Sequence, residues 1–119
     1  MADEITVTTG LRLSNGLLKV SEATTTAQFT QTTARGGGPG TVDVLTSETT
    51  IDFGDIVPGY CKLTNLDAAN FCTYGTSTGE LGFELEAGAA AIFKIASGES
   101  LIMQADTATV KVQITAFNR

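Results

Sequence analysis

Hydrophobic and polar residues alternate with a period of two along most of this chain, and no stretch carries the 3.6-residue period of a helix. The clearest case is "TATVKVQITAF" near the C-terminus. Val110, Val112 and Ile114 fall on one face, and Thr109, Lys111 and Gln113 on the other, as expected of a half-buried strand. Near the N-terminus, "LRLSNGLLKV" places Asn15-Gly16 between two apolar runs, a pairing that suits a two-residue type I′ turn. That turn would set Leu13 opposite Leu18 and Leu11 opposite Val20 on one apolar face. Arg12 would then face Lys19 on the other, solvated side. "ATTTAQFTQTTA" has a single large apolar residue, Phe29, and reads as an edge or surface strand.

Further on, Val42 and Val44 alternate inward, followed by Ile51 and Phe53. "YCKLTNL" and "FCTYGTS" read as strands around a turn at Asp67–Asn70. "LGFELEAG" sets Phe83 and Leu85 on one face, and "AAIFKIAS" and "LIMQA" supply two more short strands. Strands this short, with turn signals at intervals of about 8 to 12 residues, predict a sandwich or barrel. The expected fold is all-β: a single antiparallel β-sandwich of eight to ten short strands over residues 1–119. "RGGGPG", residues 35–40, has four Gly and a Pro in six residues and is expected to be a flexible loop. It is no phosphate loop, because no strand leads through it into a helix and no Gly-Lys-Ser/Thr follows.

Composition sharpens this picture. The chain has 119 residues, the size of one domain, and is 42% hydrophobic, enough for one core. Charged residues make up 17%, below the roughly 25% usual in globular proteins. Thr fills much of the gap, and its branched side chain suits the solvent face of a sheet. The net charge of −6 argues against nucleic acid and anionic lipid as partners, since both demand a basic surface. "MADEITVTTG" has neither a basic nor an apolar leader region, and no apolar run approaches the roughly 20 residues that span a bilayer. Synthesis in a cytoplasm, with no membrane partner, is the expectation.

The chemistry-bearing residues point away from catalysis. In a hairpin closed by Asp67–Asn70, Cys61 would lie four residues beyond the position opposite Cys72. At about 3.3 Å per residue the two Cα atoms would be more than roughly 10 Å apart, whereas a disulfide needs about 7 Å. Two cysteines and no His make neither a zinc motif nor an activated thiol. The expectation is two buried, reduced thiols packed as small apolar groups. Asp52 with Asp55, or Glu80 with Glu84 and Glu86, are candidate paired carboxylates, and Asp52, Asp55 and Asp67 are candidate calcium ligands. They are scattered among loops and strand surfaces without a binding-loop spacing, so solvated surface is the expectation. Tyr60, Tyr74 and Phe71 are the candidates for a sugar-stacking platform. The chain is therefore expected to be non-enzymatic, with no cofactor and no metal.

From Ile51 onward the sequence carries a recognisable pattern: a Pro58-Gly59 turn, a strand ending in Asn65-Leu66-Asp67, and a partner strand around Phe71. Leu85-x-Ala87-Gly88 and Ala105-Asp106-Thr107-Ala108 complete it, the latter leading into the last strand. This resembles a group of small virion proteins of tailed phages, encoded near their capsid genes. The resemblance implies a jelly-roll-like sandwich that decorates or cements the outer surface of a capsid. It implies a homo-oligomer, typically a trimer, bound to a major capsid protein and located in the virion. The alternatives are a tail, neck or fibre-base component, or a receptor- or carbohydrate-binding module. On this reading residues 1–8 are a candidate assembly arm, the polar strand Thr24 to Thr33 offers an edge to a neighbour, and the Gly-rich loop adapts to an adjoining subunit. Ile5, Val7, Arg35, Gly37 and Pro39 are the candidate partner contacts.

Overall fold

The computed structural model describes residues 3–119, and ten antiparallel strands make up the fold among them, with no helix. The chain divides into two compact units, one running up to Thr32 and the other Thr33–Arg119. The sandwich expected over residues 1–119 is confined to the second unit.

The first unit is a long hairpin of β1 (Ile5–Asn15) and β2 (Leu18–Phe29). The Thr-rich strand expected after the turn is continuous with the strand that leaves it, and from Ile5 the candidate arm is continuous with the strand that enters it, because β-branched Thr and Val carry the extended backbone through both. Gly10 lies where the register shifts between Thr9 and Leu11, a bulge rather than a break. The turn differs from expectation. Its two central residues are Gly16 and Leu17, with Asn15 paired to Leu18. Gly16 has φ +58° and Leu17 is not in the positive region, so the turn needs glycine only at its first central position, as in type II′. Leu13 consequently faces Val20, and Leu11 faces Glu22. The slip is two residues, an even number, so the expected apolar face survives. Arg12 pairs with Ser21 and Lys19 with Ser14, which moves the two cations from direct opposition to a diagonal.

The second unit is a jelly roll. One sheet has the order β3 (Gly36–Val44), β10 (Val110–Asn118), β5 (Pro58–Asn65), β8 (Ala90–Lys94). The other has the order β4 (Thr49–Thr50), β9 (Ile102–Ala105), β6 (Cys72–Gly75), β7 (Phe83–Leu85). Every connection except β6 to β7 crosses between the sheets, which is the paired Greek-key arrangement of a jelly roll. The core lies between them. Val110, Val112 and Ile114 of β10 are wholly buried, as their alternation predicts, against Leu63, Met103, Leu85 and Leu101.

Two expectations fail in this unit. Residues 36–40 are no flexible loop but the first half of β3, paired along β10 from Gly36 opposite Phe117 to Gly40 opposite Ile114. Glycine is there for close approach: a Cβ on Gly36 would lie 2.9 Å from the Phe117 ring. Pro39 is tolerated because β3 is an edge strand. Nor do residues 58–75 form one hairpin. β5 lies between β10 and β8, and β6 between β9 and β7, so residues 66–71 carry the chain from one sheet to the other.

Candidate functional site

The crossing at residues 66–71 is fixed by two side chains. Asn65, 1% exposed, donates through Nδ2 to the carbonyls of Asn70 (3.0 Å) and Leu85 (3.1 Å), and its Oδ1 accepts from the Asp67 amide (2.9 Å). It thereby ties β5 in one sheet to β7 in the other. The Asp67 carboxylate accepts from the amides of Ala69 and Asn70, both at 2.8 Å, and these two bonds hold its pKa below the ordinary value. Asn65 and Asp67 end the strand through local backbone hydrogen bonds, as their side-chain chemistry suggests. Asp67 is thus an architectural acid.

The thiols are structural too. Cys61 on β5 and Cys72 on β6 are both free and buried, and both belong to the common core. They sit in different sheets, not on one hairpin. Burial pushes Cys61 up to about 12 and Cys72 up to about 11. Such thiols are protonated at neutral pH and poor nucleophiles. Among the described residues no three Asp, Glu, Cys or His side chains come together as a metal site. Asp52 accepts from the Gly54 amide at 2.8 Å, and the backbone carbonyl of Asp55 accepts from Arg35 Nη1 at 2.8 Å. Among the described residues no helix is long and apolar enough to cross a membrane.

Besides Leu45, Val57, Leu66 and Phe117, the exposed large apolar side chains fall in two regions. The first is the hairpin. Ile5, Val7, Ala27 and Phe29 share one face at its base, and there the side chains are buried or half-buried. Towards the turn the same face carries Leu11, Leu13, Leu18 and Val20, all exposed, with Glu22 opposite Leu11 and Leu17 at the tip 104% exposed. The opposite face is Thr6, Thr8, Arg12, Ser14, Lys19 and Ser21. A two-stranded ribbon is marginal in water, and this one holds its larger apolar groups in its exposed half.

The second is a groove of about 750 Å³ on the side of the jelly roll where the edge strands β7 and β8 run. Phe83, Tyr74 and Phe93 form its ladder: Tyr74 stacks on Phe83 and on Phe93, each at 5.5 Å between ring centroids. Phe83 is 65% exposed and Ile92 41%. Gly75 shapes the floor, since a Cβ there would lie 2.6 Å from the Glu80 carbonyl. The charged lining residues of the groove are Glu80, Lys94 and Glu99. Burial raises the Tyr74 pKa, with a smaller push from Cys72. Lys94 lies over the Tyr60 ring at 5.4 Å. The two tyrosines named as candidates for a sugar platform already have their rings engaged, and Phe83 is the exposed ring of the ladder.

The five expected contact residues are dispersed. Ile5 is 6% exposed and Val7 half-buried, both on β1. Gly37 and Pro39 lie on edge strand β3, and Arg35 just before it is bonded to Asp55. The candidate arm begins outside the described residues and from Ile5 is strand β1. Sequence reasoning passed over Leu17 and the Tyr74–Phe83–Phe93 ladder. A leucine inside a two-residue turn, where small or polar residues belong, was the available signal for the first. A search against protein-family models, curated proteins and solved structures finds no match to this chain.

Proposed function

We propose that this is a non-enzymatic structural protein of a virion, a decoration or cement protein that bridges capsid subunits as a homo-oligomer, expected to be a trimer. The observation that carries this reading is the exposed apolar half of the β1–β2 hairpin, from Leu11 to Val20. A face of that kind is stable only when covered, so it belongs to a protein that works in an assembly. The body suits the role. Its thiols are sunk in the core and its best-organised carboxylate is spent on a turn. A jelly roll of this kind is a rigid block, and many such blocks repeated over a shell stabilise it by multivalent contact. The resemblance of residues 51 onward to small virion proteins supplies the capsid as the partner.

The test is addition of the purified chain to shells that lack it. Binding in many copies over the whole surface, with a rise in shell melting temperature, is the expected result. Binding confined to one vertex would move the protein to the tail or neck. No binding to shells, tails or necks would remove the reading.

A further inference from the structure

We propose that Asn15, at the tip of the β1–β2 hairpin, is a site of spontaneous modification: the Gly16 backbone nitrogen displaces its side-chain amide, and water leaves aspartate or isoaspartate in its place. The inference goes beyond the assembly reading and does not depend on it.

The step balances with water as its one co-reactant. The Gly16 nitrogen gives up its proton and bonds to Cγ of Asn15. The Cγ–Nδ2 bond breaks, and ammonia leaves with that proton. Asn15 and Gly16 are then joined in a cyclic imide. Water opens the ring at either carbonyl. Attack at Cγ restores the ordinary backbone and leaves aspartate. Attack at the main-chain carbonyl routes the backbone through Cβ and Cγ and leaves isoaspartate.

The chain has four asparagines, and three observations single out Asn15. The first is the attacking group. Asn15 alone precedes a glycine, and a Cβ at Gly16 would meet nothing within 4 Å, so nothing crowds the forming ring. The amides that follow Asn65 and Asn118 are engaged: Leu66 donates to the Lys111 carbonyl at 2.9 Å and Arg119 to that of Val57 at 3.0 Å. Asn70 precedes the bulky Phe71. The second is the group attacked. Asn15 is exposed, and its side chain has no hydrogen-bond partner among the described residues. Asn65 Nδ2 donates to two carbonyls, Asn70 Oδ1 accepts from Thr107 at 3.1 Å, and Asn118 Oδ1 accepts from the Val57 amide at 2.9 Å. The third is freedom to move. Ring closure requires the Asn15 backbone to leave the extended conformation. That breaks only its pairing with Leu18, the last pair of the ribbon. The end pair of a two-stranded ribbon opens at little cost. Asn65 and Asn118 belong to β5 and β10, the two inner strands of their sheet.

Either product changes the tip. Residues 10–21 carry Arg12 and Lys19 and no acid, and the reaction sets a carboxylate two residues from the fully exposed Leu17. Isoaspartate also lengthens the end of β1 by a methylene, so the two-residue turn loses its fit. The hairpin tip thereby records the age of the molecule.

The test is incubation of the full-length chain at neutral and mildly alkaline pH. Peptide mass mapping follows it over time, with fragmentation that separates aspartate from isoaspartate. Amide loss should fall on Asn15 while Asn65, Asn70 and Asn118 stay intact, and both isomers should appear. The rate should rise with pH, because the Gly16 nitrogen must shed its proton. It should lie within about tenfold of the rate in a synthetic peptide of residues 11–20, as a fraying end requires. Asn15→Gln, which disfavours the ring, should abolish the signal. An Asn15 that stays intact while the peptide converts would overturn the proposal. So would aspartate without isoaspartate, which means direct hydrolysis, or equal loss at all four asparagines, which means global unfolding.

Discussion

The hairpin and the jelly roll are made of the same material, short alternating strands, yet they solve burial in opposite ways. In the body, each apolar face meets another from the facing sheet, so Leu63, Val112, Ile114 and Met103 have no exposed surface. In the hairpin the apolar face is as regular, but only its base is covered. Alternation thus says that a strand has an inside without saying whose inside it is. In the body the chain supplies the covering sheet, and at the hairpin tip the apolar face stays exposed.

The two regions should respond differently to substitution, and the largest contrast is in the core. Leu63→Ala leaves a cavity between the sheets and should cost about 2–5 kcal/mol in urea denaturation. A loss under about 1 kcal/mol would mean that the body is packed more loosely than its burial implies.

Alkaline pH should weaken the body specifically. The buried thiols ionise only at about 12 and about 11, while in the unfolded chain they ionise near 9.0. Their contribution to stability is full below that unfolded value and is lost as pH rises from it towards the folded values. Each thiol should cost about 1.4 kcal/mol per pH unit across that window. The double variant Cys61→Ala, Cys72→Ala isolates the effect from lysine and tyrosine titration. If its unfolding free energy falls with pH as steeply as the wild type's, the thiols are not the cause.

Asn65→Ala should cost about 2–3 kcal/mol, because it strands the carbonyls of Asn70 and Leu85 and the amide of Asp67. Loss of cooperativity in the same melt would show that the two sheets depend on this residue to unfold together.

At the small end, Leu17→Ser should leave the monomer's unfolding within about 0.5 kcal/mol of wild type. A larger drop would break the contrast, since it would show that the tip contributes to the stability of a single copy.

Much of this was readable from residue order, and the limits have physical causes. The inward face of β10 was plain because an edge-free central strand with one polar side must alternate. The apolar face of the hairpin was readable even though the turn was placed one residue early, because an even register slip preserves side-chain parity. The crossing at residues 66–71 was not readable. Asn65 and Asp67 announce a turn, but a short turn can return to the same sheet or step to the other. Here Asn65 bonds to Leu85, a residue twenty positions away, and that decides it. β3 was hidden because glycine carries no pattern, and the demand for it comes from the Phe117 ring on β10. The groove was hidden for a similar reason: Tyr74, Phe83 and Phe93 belong to three strands, and only the jelly-roll order stacks them.

Edge strand β3 has one more consequence. Gly37 and Gly40 have φ near +96° and +93°, and Pro39 between them has no amide hydrogen. An incoming strand would find donors missing or turned aside over the first half of that border. Borders that stay regular zip into fibrils at high protein concentration. The molecule's least patterned segment, poor in side chains and awkward in backbone, is therefore a safeguard of solubility along that border.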